Sequence, residues 1–296
     1  MSAAPRRAPE SVLVIGAGKV GRALHAGLRA AGVEASLRRA RTLLTRPLPL
    51  ADLVVIASRD GRIEEIAKRL AEGERLPRAV VHCAGALGLA PLSALSARGV
   101  AVASMHPCLS FPSDRARVAL GGGALVASGD RAAVARVKSL ARVLGMRAIC
   151  PASLDRAAYH TACALAANGA AALAEAASRL LVAAGISPRD AQRTLGPLLV
   201  SVGHNVASLS AAEALSGPVA RGDVATLRAH ESALTRVAAD LLPLYRSMVA
   251  AQRALLARRK TPKGPAPEGP ALSRPKPLRK PLRDPKNMRK RAGKAP

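Results

Sequence analysis

Tryptophan is absent from the 296-residue chain, which carries only one phenylalanine and two tyrosines. With so few aromatic faces there is no stacking platform for the bases of single-stranded DNA or RNA, and the interior has to be packed from Ala, Leu and Val. No apolar run approaches the roughly 20 residues that a membrane span needs. The N-terminal stretch MSAAPRRAPE lacks an apolar signal segment, so a cytoplasmic protein without membrane insertion is expected. The four cysteines Cys83, Cys108, Cys150 and Cys163 form no C-x-x-C pair, and the six histidines lack the short spacing of ligand motifs. No metal site is expected, and the cysteines read as reduced, mostly buried small hydrophobes.

Acidic residues are also scarce, 19 against 46 Lys and Arg, for a net charge of +27. The excess is uneven. Residues 258–296 hold fourteen Lys or Arg against Glu268 and Asp284, and seven of the ten lysines. That stretch is Pro-rich and has no apolar periodicity, so it cannot offset its own ordering entropy. It reads as a disordered basic tail over 257–296, either a solvated extension or a weak, sequence-independent contact to nucleic acid or an anionic membrane surface by counterion release.

The remainder alternates between strand and helix patterns. Val12 to Ile15 form an apolar run suited to a buried parallel strand. Val20, Ala23, Leu24, Leu28 and Ala31 follow on one helical face, closed by Gly32. Further strands are expected at Val33–Leu37, Leu53–Ala57, Ala79–Cys83, Val100–Met105, Ala124–Ala127 and Arg147–Cys150, with helices at Ile63–Leu70 and Arg131–Leu144. Beyond Pro151 strand patterns stop. Leu154–Ala184 is Ala-rich and helical up to Gly185, Ser187 and Pro188 open a second helix, and Asp223 caps a long last helix running to about Leu256. The fold class expected is α/β, with an N-terminal Rossmann doubly wound parallel sheet over 11–150 followed by an all-helical domain over 151–256.

Gly16-Ala17-Gly18-Lys19-Val20-Gly21 is a G-x-G-x-x-G placed between an apolar strand and an amphipathic helix, the context that the dinucleotide fingerprint requires. Its glycines allow a tight turn, backbone approach to a pyrophosphate and close helix packing, while the helix N-terminus offers free N–H groups to phosphate. About 20 residues on, where an NAD protein carries an acid, the chain reads Ser36-Leu37-Arg38-Arg39, and Glu34 comes too early. A hydroxyl and two guanidinium groups suit a 2′-phosphate, so NADP is expected as the cofactor, bound by the loop together with Ser36, Arg38 and Arg39. Ala57 at the end of the third strand, Ser58 after it and Gly85 after the fourth are expected to line the same cofactor.

Taken with His82-Cys83-Ala84-Gly85, His106-Pro107, Ser110-Phe111, Asp60, Tyr159-His160, Asn168, Asn205 and the Ser216–Asp223 stretch before His230, the loop resembles a family. This is the group of Rossmann-like bacterial proteins joined to a helical domain of unknown function, number 2520. The resemblance covers roughly residues 11–255 and departs at Cys83-Ala84, where relatives commonly show a hydroxyl residue before the glycine. Its architecture is similar to ketopantoate reductase and pyrroline-carboxylate reductase. The resemblance thus implies NADP chemistry between the domains and a homodimer through the helical half.

Reduction of a carbonyl or imine needs a proton donor. No lysine lies between Lys138 and Lys260, so the helical-domain lysine of ketopantoate and β-hydroxyacid reductases has no counterpart. His160 with Asn168, eight residues apart on one expected helix, reads as general acid and polar anchor, or as a pair of interhelical hydrogen bonders. His106, expected to end a strand before a turn stiffened by Pro107, is the other candidate donor. His82, in a similar position, reads as a cleft residue, or else Ala84 and Gly85 beside it simply allow close backbone approach. Asn205, Arg221 and His230 are candidates for binding a small-molecule substrate, while Asp60 and Asp223 have plain readings as helix caps. Two functions stay open: an NADP-dependent oxidoreductase, or a non-catalytic dinucleotide sensor or scaffold whose tail contacts nucleic acid.

Overall fold

The computed structural model describes residues 9–42, 51–112 and 118–260. The tail from 261 onward, expected to be disordered, lies outside the described residues. By its internal packing the chain divides into two compact units, Met1–Leu173 and Ala174–Pro296.

The first unit is a seven-stranded sheet in the order β2-β1-β3-β4-β5-β6-β7. Its elements are β1 (Ser11–Ile15), α1 (Lys19–Ala30), β2 (Glu34–Arg38), β3 (Leu53–Ile56), α2 (Ile63–Ala71), β4 (Ala79–His82), α3 (Ser93–Ser96), β5 (Ala101–Cys108), β6 (Ala124–Gly129), α4 (Arg131–Val143) and β7 (Arg147–Ile149), and then α5 (Arg156–Ala164). β1 to β5 are parallel, β6 runs antiparallel to β5, and β7 is parallel to β6. Strand alternation builds two cores. Val12 and Val14 pack with Leu24, Leu28, Val137 and Leu140 on the α1/α4 face. Leu13 and Ile15 pack with Ile63, Ile66, Leu70 and Leu95 on the α2/α3 face. Both faces of the sheet are thus covered, as the near-continuous apolar runs of β1 and β3 demand.

β5 runs three residues beyond the expected end. His106 and Pro107 are not at a turn but inside the strand, paired with Val126 and Leu125 of β6. β4 ends opposite Ser104, so His106 and Cys108 project past the C-terminal end of their parallel neighbour. The expected helix from 154 to 184 is α5 and α6 (Ala170–Ala183) joined by a π-helical turn at Leu165–Gly169.

The second unit takes in the end of α6, then α7 (Pro188–Ser208), α8 (Ala211–Ala214), α9 (Pro218–Arg221), α10 (Val224–Val237) and α11 (Leu242–Lys260). Ser187 accepts from the Asp190 N–H and opens α7 as expected. Gly217 and Gly222 have φ of 91° and 71°, left-handed values that flank α9 and favour glycine,. The expected single last helix is broken at Ala238. Pro243, at the second position of α11, has no N–H and its ring would clash with the carbonyl four residues back, so α10 cannot continue through it.

Candidate functional site

The sheet order reverses between β1 and β3, and the crevice at such a switch point is where open α/β sheets bind ligands. The glycine loop follows β1 there. Gly16 has φ 124°, and a Cβ on it would strike the Ala57 carbonyl after β3. A Cβ on Gly21 would strike the Gly16 carbonyl oxygen. These two glycines are therefore required by the fold itself. Gly18 is different. It has an ordinary extended backbone (φ −79°, ψ −170°), and a Cβ would meet nothing within 4 Å. As the N-cap of α1 it is a position where glycine is favoured over alanine, and its bare Cα leaves the helix N-terminus open to an approaching group,. α1 begins at Lys19 with no side chain capping its N-terminal N–H groups, and the Lys19 ammonium reaches the Pro112 carbonyl at 2.9 Å.

Beside the loop, Ala17, Arg22, Leu37, Arg39 and Arg41 line an open pocket of about 380 Å³. Arg22 Nε donates to the Ala17 carbonyl at 2.7 Å, which turns one guanidinium along the loop. Of the expected pair, Arg39 lines this pocket and Arg38, the last residue of β2, does not. Ser36 is half-buried within β2 opposite Leu13. Arg22 and Arg41 went unnoticed in the sequence, although Arg22 sits one residue after the third glycine and Arg41 has the same parity as Arg39.

A second group gathers where α5 crosses the end of β5. Arg156, Tyr159, His160 and Cys163 have the i, i+3, i+4, i+7 spacing of one helical face, and Ser104, His106 and Cys108 alternate on one face of β5. The two rows meet in register. Arg156 Nη2 donates to Ser104 Oγ at 2.6 Å and to Ser128 Oγ at 2.5 Å. Tyr159 Oη lies 2.6 Å from His106 Nδ1, with the rings edge to face. His160 packs against His106 with centroids 6.1 Å apart, and Cys163 Sγ is 3.6 Å from Cys108 Sγ. Gly85 closes the group. A Cβ there would sit 2.8 Å from His160 Cδ2 and 3.1 Å from the His106 ring, so its bare backbone lets both imidazoles approach the loop after β4.

The electrostatics follow from this packing. Burial lowers the pKa of His106, the charge of His160 lowers it further, and Asp60 opposes both. Burial and the neighbouring thiols raise that of Tyr159, so the phenol keeps its proton. With His106 neutral, its Nδ1 is the best acceptor for that O–H, which leaves the imidazole proton on Nε2. Asp60 does not cap α2, whose N-cap is Arg62; it opens a short 3₁₀ turn, Asp60–Arg62, and its charge acts on His106 and His82 instead. His82 is fully buried. Its Nε2 donates to the Gly88 carbonyl at 2.8 Å, and its Nδ1 accepts from the Ala84 N–H at 3.2 Å. That satisfied ring holds the Cys83–Gly88 loop in place and lacks a free nitrogen for chemistry. Asn168 falls in the π-helical turn and is exposed.

In the second unit, Asp223 caps α10 by accepting from the Thr226 N–H at 3.0 Å, and the charges of Arg221 and His230 act on its carboxylate. His230 Nδ1 pairs with Tyr245 Oη at 2.9 Å. Asn205 is exposed on α7. No metal-binding group of three or more His, Cys, Asp or Glu occurs among the described residues.

A doubly wound sheet with a glycine loop at its switch point defines a Rossmann-type fold, here with helices following it in the chain. Residues 124–252 match the family model described as Domain of unknown function (DUF2520), in line with the resemblance drawn from the motifs. No curated protein sequence matches the chain. Among solved structures, a Thermotoga maritima protein is similar with a TM-score of 0.65 and 20% identity, covering 84% of this chain and 100% of the other. A Bacteroides fragilis protein provisionally described as an NADP oxidoreductase gives 0.65 and 21%, over 83% and 98%. Pyrroline carboxylate reductase from Plasmodium falciparum, with NADP bound, gives 0.55 and 11%, over 85% and 100%. At these identities the likeness concerns the fold.

Proposed function

We propose that the protein is an NADP-dependent oxidoreductase that reduces a small carbonyl or imine compound. The observation that carries this is the glycine loop at the sheet's switch point, where Gly18 leaves the α1 N-terminus open beside a pocket lined by three arginines. NADP also occupies the pyrroline carboxylate reductase of similar fold. In this reading the α1 N-terminus and the loop hold the pyrophosphate, and Arg39 with Arg22 and Arg41 receives the 2′-phosphate. When bound, NADPH supplies a hydride. The chain supplies the proton from the group beside Gly85: His106 through its Nε2–H, restored through Tyr159, or His160, which is exposed. Arg156 and Ser104 fix the helix that carries these groups. Asn168, Asn205, Arg221 and His230 remain candidates for contacting substrate.

We also infer a homodimer through the helical half. α7 is 21 residues long with only Ala191 buried, and it exposes Leu198, Leu199, Val200, Val202 and Val206. Apolar exposure of that extent in one helix marks an interface, and sedimentation at micromolar concentration is expected to show a dimer.

A fluorescence titration of NADPH and NADH tests the main reading, and with no tryptophan in the chain the cofactor is the natural reporter. NADPH is expected to bind at least tenfold tighter, a difference of about 1.4 kcal/mol. Failure of both cofactors to bind would overturn it. NADPH binding without turnover on any carbonyl or imine would favour the sensor reading, to which the lack of lysine between Lys138 and Lys260 lends support.

A further inference from the structure

The cysteines, scattered in sequence, read as reduced, mostly buried small hydrophobes, yet two of them face each other. Cys108 is the last residue of β5 and Cys163 lies on α5, 55 residues apart in sequence, with Sγ atoms 3.6 Å apart and both side chains half-buried. The other two, Cys83 and Cys150, have no such partner among the described residues. A disulfide needs the sulfurs at about 2.05 Å, so closure requires a shift of about 1.5 Å, within the reach of χ1 rotation at two half-buried side chains. The pair is also wired to the site. Burial and both thiols raise the pKa of the Tyr159 hydroxyl that meets His106.

We propose that Cys108 and Cys163 form an oxidisable dithiol that a peroxide closes into a disulfide, placing the His106–Tyr159 contact under redox control. One thiolate attacks the peroxide O–O bond, giving a sulfenic acid and one molecule of water or alcohol. The second sulfur then displaces the sulfenic hydroxyl as water. With hydrogen peroxide the balance is two thiols plus H2O2 giving one disulfide and two waters, the sulfurs oxidised and the peroxide reduced. Burial and the neighbouring Cys163 raise the pKa of the Cys108 thiol, and because a thiolate makes the attack in both steps, closure is expected to speed up as the pH rises. The closed pair takes two S–H groups away from Tyr159 and pins α5 to β5 covalently. The hydroxyl must then reorient, and with it the proton carried by His106.

The bond itself is independent of the reductase reading; its consequence for turnover rests on it. The experiment treats the full chain with hydrogen peroxide, quenches, and measures denatured thiol content and intact mass. Expected are a loss of two of the four titratable thiols, a mass fall of about 2 Da from the two lost hydrogens, a tryptic peptide joining Cys108 to Cys163, and reversal by dithiothreitol. A Cys108→Ser variant is expected to retain a sulfenic acid at Cys163 that dimedone traps, and Cys150→Ser to cross-link like the native chain. Four free thiols after treatment, a mass gain from sulfinic acid, or a cross-link elsewhere would overturn the proposal. NADPH affinity is expected to survive oxidation while NADPH-dependent turnover falls severalfold. If the cross-link forms and no turnover is found in either state, the reductase reading fails and the dithiol stands.

Discussion

Replacing Gly18 separates a glycine kept for a ligand from glycines kept for the fold. Its extended backbone is open to any L residue,, and the added Cβ meets no protein atom within 4 Å. Gly18→Ala gains about 0.4–1 kcal/mol by restricting the unfolded chain and gives back roughly 0.5–1 kcal/mol as a poorer N-cap of α1. The net change is about zero, and the melting temperature should stay within about 2 °C of the native value. Gly21→Ala pushes a Cβ into the Gly16 carbonyl, a backbone collision that costs about 1–3 kcal/mol and lowers the melting temperature by roughly 2–4 °C for each. Cofactor binding is expected to sort differently. Gly18→Ala should weaken NADPH by at least tenfold, and Gly18→Val by more, in a fluorescence titration run beside the thermal melts. A Gly18→Val protein that melts like the native chain and binds NADPH within twofold of it would refute the reasoning, because the open space would then serve no phosphate.

Three other outcomes follow from the same geometry. Arg39→Ala with Arg41→Ala should remove most of the preference for NADPH over NADH while leaving NADH affinity within twofold, and Arg38→Ala should change neither, as read from paired titrations. His82, buried and neutral, has a pKa below its ordinary 6.5 because burial disfavours the charged ring. The unfolded chain therefore takes up the proton first. Stability is complete above about pH 6.5 and is lost as the pH falls from there through the lowered folded value, and urea melts of a His82→Gln variant should show a shallower decline between pH 7.5 and 5. Arg156→Ala strips the buried Ser104 and the Ser128 hydroxyl of their shared donor. That should cost about 1–3 kcal/mol in urea unfolding, and a variant as stable as the native chain would show that α5 is held by other contacts.

Much of the first unit was legible because strand burial and helix amphipathicity write short-range patterns. Val12–Ile15, the glycine loop and the Ile63–Leu70 face each state their own conformation within a dozen residues. The misreadings have local causes. Pro243 separates α10 from α11 where helical periodicity alone runs on, and Asp60 has the spacing of a cap for α2 but opens a 3₁₀ turn instead. β5 outran its expected end because antiparallel pairing with β6 satisfies its backbone where the parallel partner β4 has stopped. Arg156, Tyr159 and Cys163 did leave a trace, a polar stripe at helical spacing alongside a strand with polar residues at alternate positions, but nothing in either row names the other as its partner.

By itself the sequence determined what depends on neighbours along the chain: a Rossmann-type α/β half with its glycine loop, helices after it, and an arginine-rich end to β2. Only the tertiary structure decided which of those arginines share a pocket, which loop glycine has open space around it, and that His106, Tyr159, His160 and two thiols stand together. Those facts rest on contacts between residues some 50 positions apart. Their distances are set by the packing of α5 across the sheet edge, which no local pattern encodes.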